Sequence, residues 1–208
     1  MPSSPDMDQP IRLFSNPAIE RLTHVQPETV ALLWSFVIGG LGGWAAADPR
    51  FSPEPALGFA AAGVLAWTLF EYALHRWLFH WRPRHRPLER LVFLIHGVHH
   101  AQPDDGSRVV MPPAASLPLA LALWAVAGLV LEAPWRDCFF VGFLAGYLHY
   151  DLTHWACHQA RPRTRLGRLI KRHHLLHHHV DDAAHFGVGT PVWDHVFGTV
   201  LRRPSRGQ

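Results

Sequence analysis

The first half of the chain contains two apolar stretches joined by a short polar loop. Val30 to Ala47 carries no charge, and Pro55 to Leu74 carries only Glu71, near its end. A helix that crosses a bilayer needs ~20 predominantly apolar residues, so each stretch is close to the length of one crossing. The pattern therefore predicts two membrane-spanning helices that form a hairpin.

A second pair of apolar stretches follows further along the chain. Val109 to Leu131 has no charged residue, and its prolines indicate that the regular helix begins around Pro113. The next stretch starts near Arg136 and continues with helical character to His158, so that its last turns must leave the lipid. We therefore expect four transmembrane helices in two hairpins.

The polar segments between and after these stretches are also helical in character. Leu88 to His100 and Arg165 to His179 mix apolar residues with arginine and histidine, a pattern typical of helices at a membrane interface. The predicted fold is an all-α integral membrane protein with a cytoplasmic helical cap. Residues 1–28 are expected to be an N-terminal segment, and residues 29–208 the membrane-bound domain.

The distribution of basic residues predicts the orientation. Arg50 and Arg136 are the only basic residues in the two short loops on one side of the predicted spans. Lys and Arg accumulate on the cytoplasmic side, so we expect both termini and both polar segments there. The net charge of +3 is explained in this way. Because no nucleic-acid motif is present, a nucleic-acid partner is not expected.

Two further features agree with a cytoplasm-facing site. The two cysteines, Cys138 and Cys157, form no CxxC pair, and reduced thiols are usual in the cytoplasm. The N-terminal segment is acidic and lacks a basic start followed by a short apolar core. We therefore do not expect a cleavable signal peptide.

Histidine is the candidate chemistry of this sequence, which contains 17 of them. All but His24 follow the second predicted span, and most fall into the motifs HRWLFH, HGVHH, DLTHWACH and HHLLHHH. Ten of them form the candidate metal-ligand set: His75, His80, His96, His99, His100, His154, His158, His174, His177 and His178.

Helical spacing predicts which of these side chains share a face. Residues i, i+3 and i+4 are neighbours on an α-helix, so the histidines of HGVHH should point together, as should those of HLLHH. His154 and His158 are four residues apart. His75 and His80 are five apart, about 140° on an α-helix, so this pair would serve different ions or straddle a helix end.

The donor type limits the metal. Imidazole suits zinc, copper, iron or nickel, whereas magnesium and calcium prefer oxygen ligands. The sequence contains no HExxH motif, so it shows no sign of a zinc protease. Redox iron is the natural choice for an oxygenase, because attack on an unactivated C–H bond needs oxygen activated by a cofactor.

The other histidines are interpreted differently. His24, His85 and His195 are expected to be ordinary surface or hydrogen-bonded residues, and supporting roles are expected of His149, His173, His179 and His185. Metal-bound imidazoles usually donate their second N–H to a carboxylate or carbonyl. Three carboxylates are candidate partners, although each is about as well explained as a helix-end charge: Glu71, Asp151 and Asp194.

The motifs resemble the fatty acid hydroxylase branch of the membrane-bound histidine-motif superfamily, most closely the fatty acid 2-hydroxylases. The matching stretches are EYALHRWLFH, IHGVHHAQPDDGSRVVMPP, GYLHYDLTHWACH and HHLLHHHVDDAAHFGVGTPVWDHVFGT, and the similarity runs from IRLFSN at Ile11 to Thr199. The resemblance implies a dimetal centre under a four-helix membrane domain. It also implies dioxygen as co-substrate and hydroxylation at C2 of a long acyl chain, free or in a lipid.

Carried over by position, the resemblance assigns residue roles. It makes the ten histidines the ligands of two iron ions, with zinc as a substitute, and it places Tyr147, Tyr150 and Asp151 in the catalytic pocket. Asp104, Ser107 and Arg108 match a loop with a structural or substrate-positioning role. Some family members carry an N-terminal cytochrome b5 domain, which the short segment before the first span cannot contain. A separate electron donor is therefore expected, either a cytochrome b5-like protein, a ferredoxin or a reductase.

Two alternatives remain open. The same di-iron core could hydroxylate a carotenoid ring, oxidise a sterol or desaturate an acyl chain, and the HxxHH motifs alone do not separate these reactions. A metal transporter or sensor is the non-enzymatic alternative, but transport ligands are expected near mid-membrane. The histidines here fall at span ends and in polar segments.

Overall fold

A computed structural model describes residues 10–201, and these residues contain helices and no β-strand. The long helices are α2 (Pro27–Ala46), α3 (Pro53–Ala73), α6 (Pro113–Ala127), α7 (Trp135–Gln159) and α8 (Arg165–His179). The short ones are α1 (Pro17–Arg21), α4 (Arg86–Val92), α5 (Val98–Ala101) and α9 (Val192–Val196). Two π-helical turns cover Leu74–Phe79 and Phe93–Gly97, and a 3₁₀ turn covers Gly106–Arg108.

Three helical segments within residues 10–201 are long and apolar enough to cross a membrane: Pro27–Ala46, Pro53–Phe79 and Gly106–Ala127. Their outward side chains are large and apolar, with Leu32, Phe36 and Leu121 well exposed. Such a surface in water would be an aggregation liability, so it fits a helix bundle surrounded by lipid. The prediction of membrane-spanning helices is thus supported for these three segments.

Helix α7, which corresponds to the fourth predicted span, lies at the centre of the bundle and packs against α2, α3 and α6. Its closest approach is to α3, where Gly63 and Gly142 face the opposite backbone. A Cβ at Gly63 would collide with the carbonyl oxygen of Phe139, and one at Gly142 with that of Ala60. Small residues permit this close packing of membrane helices.

The buried core lies between α2, α3 and α7 and is rich in aromatic rings. Trp67 contacts Phe143, Tyr147 and Tyr150, with ring centroids between 5.1 and 5.8 Å apart. Trp34 meets Tyr147 edge to face at 5.2 Å. Tyr150 of this core stacks on His154, so the core fixes the end of α7 that carries His154 and His158.

The segment before α2 is tied to the loop after α5. The guanidinium of Arg108, whose side chain is 3% exposed, donates to the Ile11 carbonyl at 2.5 Å and to Glu20 Oε1 at 2.6 Å. Ser107 Oγ lies 2.7 Å from His24 Nδ1. In this structure, therefore, Ser107 and Arg108 anchor the N-terminal segment, and the Asp104 carbonyl accepts from Gln159 Nε2.

Candidate metal centre

The ten predicted histidines form two compact groups. The first histidine group contains His75, His80, His96, His100 and His177, and the second histidine group contains His99, His154, His158, His174 and His178. Within each group, one ring nitrogen per residue lies within 4.8 Å of all the others. Both groups consist of histidines named from the sequence, and their role as metal ligands stays a prediction.

The distribution of the HxxHH motifs differs from the expectation that each motif points one way. His96 and His100, four residues apart, join the first group, whereas His99 between them joins the second. In α8 the arrangement is reversed, with His177 alone in the first group and His174 and His178 in the second. Each motif thus contributes to both groups.

His75 and His80 belong to the same group, which corrects the expectation that they serve different ions. The alternative expectation, that the pair straddles a helix end, agrees with the structure, because the helical turn ends at Phe79 and His80 is its C-cap. Leu74–Phe79 is a π-helical turn, and the His80 N–H bonds to the His75 carbonyl at 3.2 Å. In a π-helix residues five apart are stacked, so the 140° offset of an α-helix does not apply. Their Nε2 atoms are 3.3 Å apart.

The nitrogen geometry fits a shared metal ion. Neighbouring Nε2 atoms are 2.9 to 3.3 Å apart in the first group and 2.8 to 3.1 Å apart in the second. Two nitrogens that each lie 2.0–2.1 Å from one ion at a right angle are separated by about 3 Å. The five nitrogens of each group are thus spaced like ligands of one ion.

Hydrogen bonds at the opposite ring nitrogens leave Nε2 free in two of these residues. His75 Nδ1 donates to the Phe186 carbonyl at 2.5 Å, and His177 Nδ1 donates to the Ala184 carbonyl at 2.7 Å. A carbonyl oxygen only accepts, so each Nδ1 carries the proton and each Nε2 presents a lone pair.

Burial keeps the other rings neutral as well. Burial, and then the proximity of other histidines, lowers the pKa of His80 and of His100 to about 3. The same causes hold the pKa values of His96, His99 and His174 well below the ordinary range of histidine. Neutral imidazole is the form that binds a metal ion, so the protein presents these donors in the required state.

The predicted carboxylate partners lie elsewhere than expected. Within residues 10–201, no hydrogen bond joins Glu71, Asp151 or Asp194 to any of the ten histidines. The Nδ1 protons of His75 and His177 go to backbone carbonyls instead. Glu71 accepts from the backbone N–H groups of residues 188 and 189, and Asp151 from Met111 N–H and Tyr147 Oη. Asp194 contacts His173.

One of the three predicted pocket residues contacts the second histidine group, and the other two lie on the same helix, α7. Tyr150 stacks on His154 with ring centroids 5.7 Å apart, and Tyr147 donates to Asp151 at 3.1 Å. All three are buried in the core between α3 and α7. The structure therefore places Tyr150 against His154 and links Tyr147 to Asp151, and the catalytic role of all three stays a prediction.

Comparison with known proteins identifies the family. The sequence model of the fatty acid hydroxylase family matches residues 60–199, and the chain belongs to this family. It is 34% identical to the dihydroceramide fatty acyl 2-hydroxylase FAH2 of Arabidopsis thaliana over 91% of the chain and 79% of that protein. It is 33% identical to the fatty acid 2-hydroxylase of Macaca fascicularis over 93% of the chain, but spans only 57% of that protein's length.

A solved structure supports the fold. The hydroxylase domain visible in full-length scs7p superimposes with a TM-score of 0.85 at 35% identity, over 91% of this chain and 71% of that one. The resemblance inferred from the motifs is thereby confirmed.

Proposed function

We propose that this protein is a membrane-bound non-haem di-iron monooxygenase that hydroxylates C2 of a long fatty acyl chain, free or in a lipid. The observation that supports this most is the pair of adjacent groups of five Nε2 atoms. In the net reaction R–H, O2, two electrons and two protons give R–OH and water. A separate protein supplies the electrons, either a cytochrome b5-like protein, a ferredoxin or a reductase.

Each histidine group would hold one iron ion, and zinc would be accepted by the same donors. When bound, the iron pair supplies the activation of dioxygen that no side chain provides. The protein contributes the fixed Nε2 positions, and it excludes water by burying the ligands; His75, His174 and His177 are at most 1% exposed.

An apolar groove offers a place for the acyl chain. It has a volume of about 590 Å³, lies between α2, α6 and α7, and is lined by residues that include Leu41, Leu121 and Trp124. A smaller space of about 30 Å³ shares Trp34, Ala120 and Leu144 with it and reaches Tyr147 and Leu74, the residue before His75. An alkyl chain in the groove would therefore point one end at the histidine groups.

Tyr147, Tyr150 and Asp151 are proposed to line the reacting end of this site. Asp151 accepts two bonds from the Met111 N–H, each 3.1 Å long, and one from Tyr147 Oη. These contacts hold the start of α6 against α7, between the groove and the second histidine group. The residues would thus position the substrate carbon and exclude water from it.

We propose that α7 is a fourth span and that the histidines lie at the cytoplasmic ends of the four helices. Its 25 residues extend about 37 Å, enough to cross a bilayer. Polar residues such as Asp137 and Asp151 are tolerated because neighbouring helices surround them. Residues 29–208 would form the membrane-bound catalytic domain, preceded by a cytoplasmic segment.

The proposal is tested by expressing the full chain in a host without 2-hydroxy acyl lipids. Lipid mass spectrometry should detect 2-hydroxy acyl products under aerobic conditions with a reductase system present. His99→Ala should abolish the product, because it removes a ligand of the second group. His85→Ala is the matched control, since His85 is exposed and lies outside both groups.

Other outcomes would reject the proposal. Oxidised carotenoids or sterols, or new acyl double bonds without a 2-hydroxy product, would assign a different reaction to the same centre. Metal uptake that depends on the protein, with no oxidised lipid, would indicate a transporter. Full activity in His99→Ala would refute the ligand role of that residue.

A further inference from the structure

The segment Ala184–Gly189 lies between the first histidine group and two buried carboxylates. On one side its backbone carbonyls accept the Nδ1 protons of His177 and His75. On the other side its N–H groups bond to Asp194 and Glu71. The segment is buried from Ala184 to Val188. It therefore connects two metal-ligand candidates to carboxylates that do not contact them directly.

Asp194 holds the part of this segment nearest the ligands. Its carboxylate is fully buried and accepts from the Phe186 and Gly187 N–H groups, each at 2.8 Å. The peptide that precedes Gly187 includes the Phe186 carbonyl, which is the acceptor of His75. A Cβ at residue 187 would collide with the Thr190 carbonyl and come close to the Asp194 carboxylate. The position of this carbonyl is thus fixed by the carboxylate.

Two histidines outside both groups hold Asp194 in turn. The Leu201 N–H donates to His185 Nε2 at 3.1 Å, so the proton of this ring is on Nδ1. His185 Nδ1 then donates to His173 Nδ1 at 2.7 Å, which leaves the His173 proton on Nε2. That nitrogen donates to Asp194 at 2.9 Å. One consistent set of proton positions therefore satisfies the whole chain of contacts.

We propose that Asp194, supported by His173 and His185, is a positioning residue that acts only on the first histidine group. It fixes the carbonyls that orient His75 and His177, and so sets the affinity of one of the two metal ions. No corresponding support exists for the second group within residues 10–201, where His99 and His174 have buried Nδ1 atoms without a hydrogen-bond partner. The inference rests on the proposed metal-binding function.

The test uses the purified full chain loaded with zinc alone, because zinc has no redox chemistry to complicate the count. Bound zinc is measured by elemental analysis while a chelator of increasing concentration competes for it. Wild-type protein should hold two ions per chain. Asp194→Asn cannot accept from both N–H groups, so it should lose one ion about 10–100-fold more readily and keep the other.

Asp182→Asn is the matched control. It removes the same negative charge close to the first histidine group, where Asp182 acts electrostatically on His100 and His177, but Asp182 is half exposed and its ion pair is with Arg82 rather than with the segment. It should release both ions as the wild type does. Size-exclusion chromatography of each variant verifies that it is recovered folded. If Asp194→Asn is not recovered, His173→Phe removes the donor to Asp194 and the acceptor of His185 while it keeps the carboxylate, and it should weaken the same single ion about tenfold.

The outcomes separate the inference from the function on which it rests. Selective loss of one ion supports the positioning role, which general destabilisation would not produce. Retention of both ions with wild-type affinity in the recovered variant, or equal loss of both, overturns it. If the wild type itself binds no zinc and no iron, the proposed metal centre is wrong and the positioning role fails with it.

Discussion

The two histidine groups have equal numbers of ligands and similar spacing, yet they are held in different ways. The first donates hydrogen bonds to the backbone carbonyls of a buried loop, through His75 Nδ1 and His177 Nδ1. The second depends on helix packing, with His154 and His158 on α7 facing His174 and His178 on α8. Two ions in one centre would therefore have unequal surroundings. The first would be sensitive to the loop and the second to the fit between α7 and α8.

The largest expected effect comes from replacing two adjacent histidines of α8 that belong to different groups. His177→Ala should remove the first ion and His178→Ala the second, because these neighbours belong to different groups. Each change should lower product formation by more than about 100-fold, beyond the loss expected from an outer residue. Elemental analysis should show about one ion left in each variant. Loss of the same ion in both would contradict the division into two groups.

Tyr150→Phe tests whether the hydroxyl of a residue that contacts the second histidine group contributes to catalysis. The ring would still stack on His154, so metal content should be unchanged. Removal of a hydroxyl that positions the substrate carbon should lower turnover about 100-fold, the cost of a misplaced reacting atom. Single-turnover product analysis measures this. Unchanged turnover would show that the residue only packs.

Ala120→Phe should have a smaller effect on activity, because it changes the apolar groove and neither histidine group. Ala120 lies where the apolar groove narrows towards Tyr147. A phenyl ring there should reduce the rate of conversion of long acyl chains about tenfold, because a misplaced substrate carbon reacts more slowly. The number of bound ions should not change. Competition between short and long acyl substrates measures the preference. Ala122→Phe, at an exposed position of the same helix, is the control and should keep the wild-type preference.

Arg82→Ala should have the smallest effect, although it is also close to the first group. The ion pair with Asp182 is 3.2 Å long, but the two side chains are 81% and 49% exposed. Solvent screens such pairs, so the free energy of unfolding should fall by no more than about 0.5 kcal/mol. Thermal unfolding in detergent measures the change. A large loss of stability or of metal would mean that the loop is held from the surface as well.

Much of the fold follows from the sequence pattern. The predicted interfacial helix Arg165–His179 has the bounds of α8, and Pro113 begins α6 as its ring requires. The π-helical turn at His75 does not follow from the sequence pattern, because α-helical periodicity is 3.6 residues per turn. Its signal was the spacing of five between His75 and His80, which an α-helix does not bring together.

The ten histidines of the two groups were named from the sequence, but the backbone carbonyls that accept from two of them were not. Histidine motifs are visible in a sequence because the residue type carries the chemistry. The acceptors of His75 and His177 are backbone carbonyls, which every residue has, so no residue type indicates them. The FGVGT stretch was a partial signal, because its glycines permit the close approach to Asp194 and Glu71.

The sharing of each HxxHH motif between two groups has a mechanical consequence. A turn of helix is rigid, so the angular offset between residue i+3 and the pair i, i+4 is set by the backbone and not by flexible side chains. Any rotation of α5 about its own axis would displace His99 of the second group and His100 of the first group at once. The separation of two ions bound by these groups would therefore be set largely by the helical repeat.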